Sequence, residues 1–345
     1  MIIAIHPDDY THPSREPKSD SASYRWAQAI EKAGHEVRWV NVRAADILDQ
    51  LAGCHGFMWR WNHSAGMARI ARRLLPVIER ELKIPVYPDQ HTCWHYDDKI
   101  AQAYLFQALG IPSPKTWVWY DRQLALEWAE KAGYPVVLKL ATGAGSQNVV
   151  LVSSREEACR WIDRLFRGFY CSLEQPNLKQ RVRLALNALL LEDDSPFPDN
   201  GYDPQAGYVL FQEFLPGNAF DTRITVIGNR AFGFRRFNRN NDFRASGSGH
   251  LSYDIECIPE EMIRLAFSTA QKLRMQSCAI DGLYRGKTPL VGEASYTFVS
   301  SAVHDCPGHW KLNGSPETGS LIWNEGHLWP EEAQIEDFLA LLHNR

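Results

Sequence analysis

A lysine in an apolar strand, followed by a loop of small residues, is the first feature of this chain that could do chemistry. Lys139 lies in the run 135–140, and the loop 141–148 leads from it into a second apolar run, 149–152. Gly143 and Gly145 would let backbone N–H groups approach phosphate oxygens, while a half-buried ammonium supplies a fixed cation. The pattern predicts a triphosphate site. A simple glycine-rich turn, with a lysine that extends to water, is the alternative.

Two carboxylates face each other in a hairpin predicted further along the chain. With the turn centred on Lys287, Asp281 pairs with Glu293, so their β-carbons lie about 4.5–5.5 Å apart and the charges repel unless a cation lies between them. Ser295 shares the face of Glu293 and adds an oxygen, the atom that hard divalent cations prefer. We therefore predict a Mg²⁺ (or Mn²⁺) site at Asp281, Glu293 and Ser295. A solvated carboxylate pair, or a hairpin offset by one residue, is the alternative.

The elements that must position these residues alternate between strand and helix at the amino end. Strands at 2–6, 36–42, 56–59 and 84–88 enclose helices at 24–33, 44–51 and 68–82, a pattern typical of a parallel α/β lobe. A second unit has a helix at 98–109, a strand at 116–120, a helix at 122–132 and the lysine hairpin. A third has a helix at 259–275 and strands at 207–214, 222–228, 230–237, 278–284 and 289–295.

We predict three domains from this pattern: an α/β domain at 1–95, a lobe with the phosphate loop at 96–165, and a lobe with the metal site at 166–345. The last contains an insertion or lid at 171–207, rich in loop-forming residues, and a tryptophan-rich tail.

Composition excludes several classes of partner. The 345 residues carry a formal net charge of −4, with acids and bases interspersed, so nothing indicates a nucleic-acid or membrane surface, and a small-molecule partner is expected. Seven cysteines without Cys-x-x-Cys spacing are typical of free thiols in a reducing compartment. The amino-terminal apolar run is too short for a signal peptide. We expect a cytoplasmic protein.

In their order along the chain, these motifs resemble the ATP-grasp superfamily, in its carboxylate-amine ligase branch. Lys99, followed by Gly110-Ile111-Pro112-Ser113-Pro114, is similar to the opening of that family, and the loop 141–148 is similar to its phosphate loop. Phe211 to Leu215 resembles the adenine hinge, and Asp221-Thr222-Arg223 the motif that follows it. The resemblance implies an α/β and α+β fold with an amino-terminal α/β lobe and two lobes that hold ATP between them.

The resemblance also implies roles for individual residues. Nucleotide would contact Lys99, Lys139, Gly143, Gly145, Ser146, Gln212, Glu213, Leu215 and Asp221, and metal would contact Asp281, Glu293 and Ser295. Arg223 would lie near the phosphates. Arg235, Arg236 and Arg244 are candidates to hold the acid, with Arg235 favoured over Arg236 because family members often carry arginine in that strand, and a solvated face is the alternative for each of the three. Most members have Asn where this chain has Ser295, which would be a weaker ligand.

The activity implied is an ADP-forming ligase that joins a carboxylic acid to an amine through an acyl phosphate, with ATP and Mg²⁺ as cofactors. The acid could be a sugar acid or a peptide and the amine an amino acid, and the enzyme could be a homodimer. A phosphotransferase with the same ATP site, and a nucleotide-binding regulatory protein without activity, are the alternatives.

Overall fold

Three β-sheets with flanking helices make up the part of the chain that the computed structural model describes, which is residues 1–8, 21–143, 145, 148–170, 172–173, 203–239, 242–245 and 247–344. Most of the predicted insertion at 171–207 lies outside the described residues, as does Ser146 of the phosphate loop.

The first sheet is parallel. Its strands are β1 (Ile2–His6), β2 (Glu36–Trp39), β3 (Gly56–Trp59) and β4 (Val86–Tyr87), in the spatial order β2-β1-β3-β4. The helices are α1 (Ala22–Lys32), α2 (Ile47–Gln50), α3 (Ala65–Arg80) and α4 (Gln90–Cys93). Ser21 and Ser64 begin α1 and α3 as N-caps, since each side chain accepts a hydrogen bond from a backbone N–H three residues on. The predicted parallel α/β lobe is confirmed.

The middle sheet is antiparallel and carries the lysine hairpin. Its strands are β5 (Thr116–Trp119), β6 (Val136–Lys139), β7 (Val149–Val152) and β8 (Val209–Glu213), in the order β5-β8-β6-β7. Helices α5 (Lys99–Ala108), α6 (Arg122–Ala129) and α7 (Arg155–Arg167) accompany it. The prediction placed β8 in the last lobe, but its pairing puts it in this sheet. The domain boundaries themselves stay a prediction.

The third sheet is also antiparallel and supplies the carboxylate pair. It contains β9 (Phe220–Ile227), β10 (Arg230–Phe237), β11 (Leu251–Ser252), β12 (Ser277–Arg285), β13 (Thr288–Ser295), β14 (Gly308–Asn313) and β15 (Ser320–Glu325). The order is β13-β12-β9-β10-β14-β15, and β11 pairs with β10. Helix α8 (Glu260–Leu273) buries its apolar stripe, including Met262 and Ala266, in the same core as Ile224 and Ile280.

The carboxyl-terminal tail returns to the first lobe. After α9 (Ser300–His304), helix α10 (Pro330–His343) packs its residues Ile335 and Phe338 in one core with Ile3 and Trp26. The indole N–H of Trp26 donates to the Gln334 side chain at 2.8 Å. The tail therefore ties the third sheet to the amino-terminal lobe, a contact that the sequence did not predict.

Two further observations concern the described residues. No helix among them is long and apolar enough to cross a membrane. The six described cysteines have free thiols, in keeping with the expectation from their spacing.

Candidate active site

One cavity of about 980 Å³ is lined by residues of the middle and third sheets and by residues that follow β1 and β3 of the first sheet. Its size suits a ligand of cofactor dimensions, since pockets for such ligands span roughly 300–1,000 Å³. Every predicted site residue lines it except Arg235 and Ser146, the second of which lies outside the described residues: Lys99, Lys139, Gly143, Gly145, Gln212, Glu213, Leu215, Asp221, Arg223, Arg244, Asp281, Glu293 and Ser295.

At one end of the cavity, two lysines meet the loop after β6. Lys139 ends that strand, and burial lowers the pKa of its ammonium to about 8, against the attraction of Glu293. Lys99 begins α5 directly after its N-cap Asp98 and is 9% exposed. The two cations thus come from different elements and line one cavity, and their role as phosphate lysines stays a prediction.

The phosphate loop is held at Gly143. Lys99 Nζ donates to the Gly143 carbonyl at 2.9 Å, and the Gly143 N–H donates to Asp97 Oδ1, also at 2.9 Å. Gly143 has φ 142°, which only glycine adopts without strain. Asp97 was missed by the sequence prediction. Its carboxylate accepts a hydrogen bond from the Gly143 N–H, which was expected to face phosphate.

The predicted adenine hinge connects two sheets. β8 ends at Glu213 in the middle sheet, and β9 begins at Phe220 in the third, so residues 214–219 cross between them along the cavity. The Gln212 amide donates to Thr116 Oγ1 at 3.0 Å, and the Glu213 carboxylate accepts from Arg285 at 2.6 Å. These contacts fix the hinge to both sheets.

The carboxylate pair has the predicted register, reached by a different path. A two-residue turn pairs Arg285 with Thr288 and Gly282 with Val291, which alone would place residue 292 opposite Asp281. A β-bulge between Asp281 and Gly282 shifts the pairing by one residue, so that Asp281 faces Glu293.

Asp281 is compensated by two guanidinium groups. Arg223 donates to both of its carboxylate oxygens at 2.7 and 2.9 Å, and Arg236 approaches Oδ2 at 2.7 Å. Burial alone would raise the pKa of Asp281, but the charges of Arg223 and Arg236 outweigh it and hold the pKa well below its usual range. Arg236 also donates to both oxygens of Asp221, at 2.7 and 2.6 Å. These four side chains form an alternating network across β10, β9 and β12.

Glu293 differs from its neighbour. Its carboxylate lines the cavity and makes no hydrogen bond or ion pair with the described residues. Ser295 Oγ donates to the Thr297 carbonyl at 2.9 Å, which leaves its lone pairs able to accept or ligate. Among the described residues no group of three or more His, Cys, Asp or Glu side chains could hold a metal. The all-oxygen set of Asp281, Glu293 and Ser295 still suits Mg²⁺, which keeps several waters and shares substrate phosphates.

Arg235 does not line the cavity, so the structure does not place it where its expected role requires. In the β9–β10 pairing Asp221 faces Arg236 and Arg223 faces Phe234, so Arg235 points to the other face of the sheet. There its guanidinium lies 4.1 Å from the centre of the Phe220 ring and donates to the Cys257 carbonyl. Arg236 lines the cavity in its place.

Two other predicted residues have protein partners of their own. Asp221, expected near a ribose, is 7% exposed and bound by Arg236. Arg244, expected to hold an acid, pairs with Asp242 at 2.8 Å and reaches the Val149 carbonyl at 3.3 Å. Arg244 therefore joins the loop after β10 to the phosphate hairpin.

Comparison with known proteins bears on this site. Alpha-aminoadipate–LysW ligase LysX of Saccharolobus solfataricus is 28% identical over 183 residues, 53% of this chain and 54% of that protein. Ribosomal protein bS6–L-glutamate ligase of Escherichia fergusonii is 25% identical over 238 residues, 68% of this chain and 65% of that protein. The chain thus spans less than two thirds of the length of either relative. No protein-family model matches it.

Solved structures extend the match over the whole chain. D-cycloserine synthetase DcsG superposes with a TM-score of 0.58 at 12% identity, covering 99% of this chain and 100% of that one. A RimK domain protein, described as ATP-grasp, from Sphaerobacter thermophilus gives 0.52 at 19% identity, covering 87% and 93%. This chain has the ATP-grasp fold. The curated proteins that it matches are ligases of the branch that the sequence motifs predicted.

Proposed function

We propose that this protein is an ATP-dependent, ADP-forming ligase that joins a carboxylic acid to an amine. The observation that carries the proposal is the cavity itself, where two lysines, a compensated arginine pair and an uncompensated carboxylate converge from different lobes. Both curated relatives are named as ligases. The fold alone would also accommodate a kinase, so the choice depends on the chemistry of the acceptor.

The proposed reaction has two steps. A carboxylate oxygen of the acid attacks the γ-phosphorus, the bond from that phosphorus to the β,γ-bridging oxygen breaks, and ADP leaves with the electron pair. The amine nitrogen then attacks the acyl carbon of the acyl phosphate, the carbon–oxygen bond to phosphate breaks, and the nitrogen loses a proton as the amide forms. Inorganic phosphate is the second product.

The residues of this chain hold and neutralise the reactants. Lys99 and Lys139 face the β- and γ-phosphates, and Arg223 and Arg236 supply positive charge beside them. Asp281, Glu293 and Ser295 would hold Mg²⁺, which neutralises phosphate charge when bound. Closure of the loop at Gly143 over the phosphates would keep water from the acyl phosphate. A cytoplasmic location and a homodimer complete the proposal.

The test is ADP release with Mg²⁺ and ATP across a matrix of acids, including amino acids and sugar acids, with and without amines. Turnover that requires one acid and one amine supports a ligase, and hydroxylamine should trap the acyl phosphate as a hydroxamate when the amine is left out. Glu293→Ala should abolish turnover. Glu317→Ala, which removes an exposed glutamate outside the cavity, is the matched control.

Two results would argue against the ligase. Transfer of phosphate to a stable hydroxyl product, with no hydroxamate, would indicate a phosphotransferase. ATP binding without turnover for any pair in the matrix would favour a nucleotide-binding regulatory protein.

A further inference from the structure

The amino-terminal lobe brings its own ligand-binding edge to the cavity. In the order β2-β1-β3-β4, the chain runs from β1 to β2 on one side and then crosses to β3 on the other side of β1, so the sheet has a topological switch point between β1 and β3. Open parallel sheets bind ligands in the crevice outside the carboxyl ends of the strands at such a point. Asp8 follows β1 here and Arg60 follows β3, and both line the cavity.

The charges at this edge are unequally accessible. The Asp8 carboxylate accepts hydrogen bonds from the N–H groups of Ala22 and Ser23 and from the Ser23 hydroxyl, and its side chain is 12% exposed. The Arg60 side chain is 28% exposed, and its Nη1 lies 3.7 Å from Asp8 Oδ2, beyond hydrogen-bond distance. Arg60 therefore presents more of its charge to the cavity than Asp8 does.

A second guanidinium lies on the same wall. Arg25 of α1 is half-buried and stacks on Trp329, 3.7 Å from the centre of the ring, which holds it in place. The nearby acid, Glu331, is 1% exposed and accepts from the Ser300 hydroxyl behind the wall. Among the described residues, a ligand at this end would meet the cations of Arg25 and Arg60, while Glu331 is buried and Asp8 is already hydrogen-bonded.

The backbone connects this wall to the carboxylate pair. Arg60 donates to the Phe298 carbonyl, and Phe298 follows Glu293 by five residues. Five residues span at most about 17 Å between α-carbons. A group bound at Arg60 is therefore within reach of a small molecule, or of one end of a longer chain, whose other end reacts beside Glu293.

We propose that Arg25 and Arg60 bind an anionic group, a carboxylate or a phosphate, of a substrate other than ATP, and that this group does not itself react. Guanidinium groups bind both anions through paired N–H donors. This proposal rests on the proposed function, because the bound molecule is a substrate only if the protein is the proposed ligase. It narrows the acid or the amine to molecules that carry a second, non-reacting anion.

The test is binding to the protein in the presence of Mg²⁺ and the non-hydrolysable analogue AMP-PNP, measured by titration calorimetry. The probes are pairs that differ by one anion: glycine and glycinamide, glutamate and glutamine, phosphoethanolamine and ethanolamine, malonate and malonamate. The amino-acid and dicarboxylate pairs report a carboxylate, and the phosphoethanolamine pair a phosphate. The anionic member of at least one pair should bind about 10- to 100-fold more tightly than its partner, as expected for a charge-assisted pair.

Variants place that preference on the two arginines. Arg60→Gln and Arg25→Gln should each lower the affinity for the anionic probe by about 10-fold or more and leave the affinities for its partner, which lacks that anion, and for AMP-PNP unchanged. Arg60→Lys should give an intermediate loss of affinity for the anionic probe, because lysine keeps the positive charge but lacks the paired N–H donors of a guanidinium. This variant also provides a test if Arg60→Gln does not fold. Arg73→Gln, at an exposed position of α3 outside the cavity, is the control.

Equal affinity within every pair, no binding of any probe, or anion binding that survives both glutamine variants would overturn the proposal. Failure of the ligase is separately visible. In that case ADP release would not depend on an acid and an amine, while the anionic probes would still bind the AMP-PNP complex and lose affinity in Arg60→Gln.

Discussion

Although Asp281 and Glu293 face each other in one ladder, we expect their substitution to have different effects. Asp281→Asn removes the charge of a side chain that is only 16% exposed and whose oxygens lie 2.7–2.9 Å from the guanidinium groups of Arg223 and Arg236. Breaking a buried pair by removing one partner costs about 3–5 kcal/mol, because the remaining charge is left uncompensated. Glu293→Gln removes a carboxylate that has no partner among the described residues, so the loss of stability should stay within about 0.5 kcal/mol.

Thermal unfolding in the absence of nucleotide and metal separates the two cases. A loss of 1 kcal/mol lowers Tm by roughly 2–4 °C in domains of 150–250 residues, so Asp281→Asn should lower Tm by about 6–20 °C and Glu293→Gln by no more than about 2 °C. Both variants should lose Mg²⁺-dependent ADP release. Equal Tm values for the two variants, or a lower Tm for Glu293→Gln, would refute the inference that the charge of Asp281, unlike that of Glu293, stabilises the fold through Arg223 and Arg236.

Three further predictions concern the surroundings of the site. Gln102 is 3% exposed and binds the backbone of Ala294 twice, accepting from its N–H at 3.1 Å and donating to its carbonyl at 2.7 Å. Gln102→Leu should therefore lower the free energy of unfolding by about 2–4 kcal/mol, measured by thermal or urea unfolding. Gln107→Leu, on the exposed side of α5, is the control and should not lower it. Burial lowers the pKa of Lys139 to about 8, and phosphate favours its charged form, so ATP binding between pH 8 and 9 should take up a proton, seen by calorimetry in buffers of different ionisation enthalpy and lost in Lys139→Arg. Burial also lowers the pKa of His95 to about 4, so between pH 6.5 and 4 the imidazole is protonated in the unfolded chain but not in the folded one. The free energy of unfolding should therefore fall as the pH drops through this range. His95→Phe should make that fall smaller.

The register of the carboxylate pair shows how a correct prediction can depend on a compensating detail. Centring the hairpin on Lys287 gives the right pair, but the turn contains only Gly286 and Lys287, and its register alone would bring Gly292 opposite Asp281. The bulge corrects the difference. A side chain at 292 would place its β-carbon 3.2 Å from the Asp281 carbonyl, so the glycine is a sign of the bulge, but glycine inside a strand has other causes as well.

The sequence could have shown that Arg236, and not Arg235, shares a sheet face with Asp221. Gly228 and Asn229 separate two apolar runs by two residues, a pattern typical of a tight hairpin, and the register that follows pairs Asp221 with Arg236. Because side chains alternate across a strand, Arg235 then falls on the far face. Helix α7 could also have been found, since Ser154 and Glu157 have the spacing of a capping box, and the Glu157 N–H donates to Ser154 Oγ at 3.3 Å.

Other parts of the site could not be predicted from sequence, because they depend on contacts between distant segments. Arg25 and Arg60 belong to no motif, and Arg25 stacks on Trp329, which lies against it because α10 returns to the first lobe. Asp97 has φ 49°, an uncommon conformation for a residue other than glycine, which no local pattern announces. Local patterns thus predict the lysine hairpin and the carboxylate pair, while the positions of Arg25 and Arg60 depend on tertiary packing.

The resting cavity keeps its charges largely within the protein, and this limits how a nucleotide can enter it. Lys99 donates one of its three N–H groups to the Gly143 carbonyl, so a phosphate would share this ammonium with the loop, and the loop is also held by the bond from the Gly143 N–H to Asp97. Arg223 and Arg236 are already matched by Asp221 and Asp281, so they add positive charge to a bound triphosphate only in part. Glu293 is left as the carboxylate without a partner among the described residues, and its charge raises the pKa of Lys139 against burial. A triphosphate at this end would therefore have to share Lys99, Arg223 and Arg236 with their present protein partners.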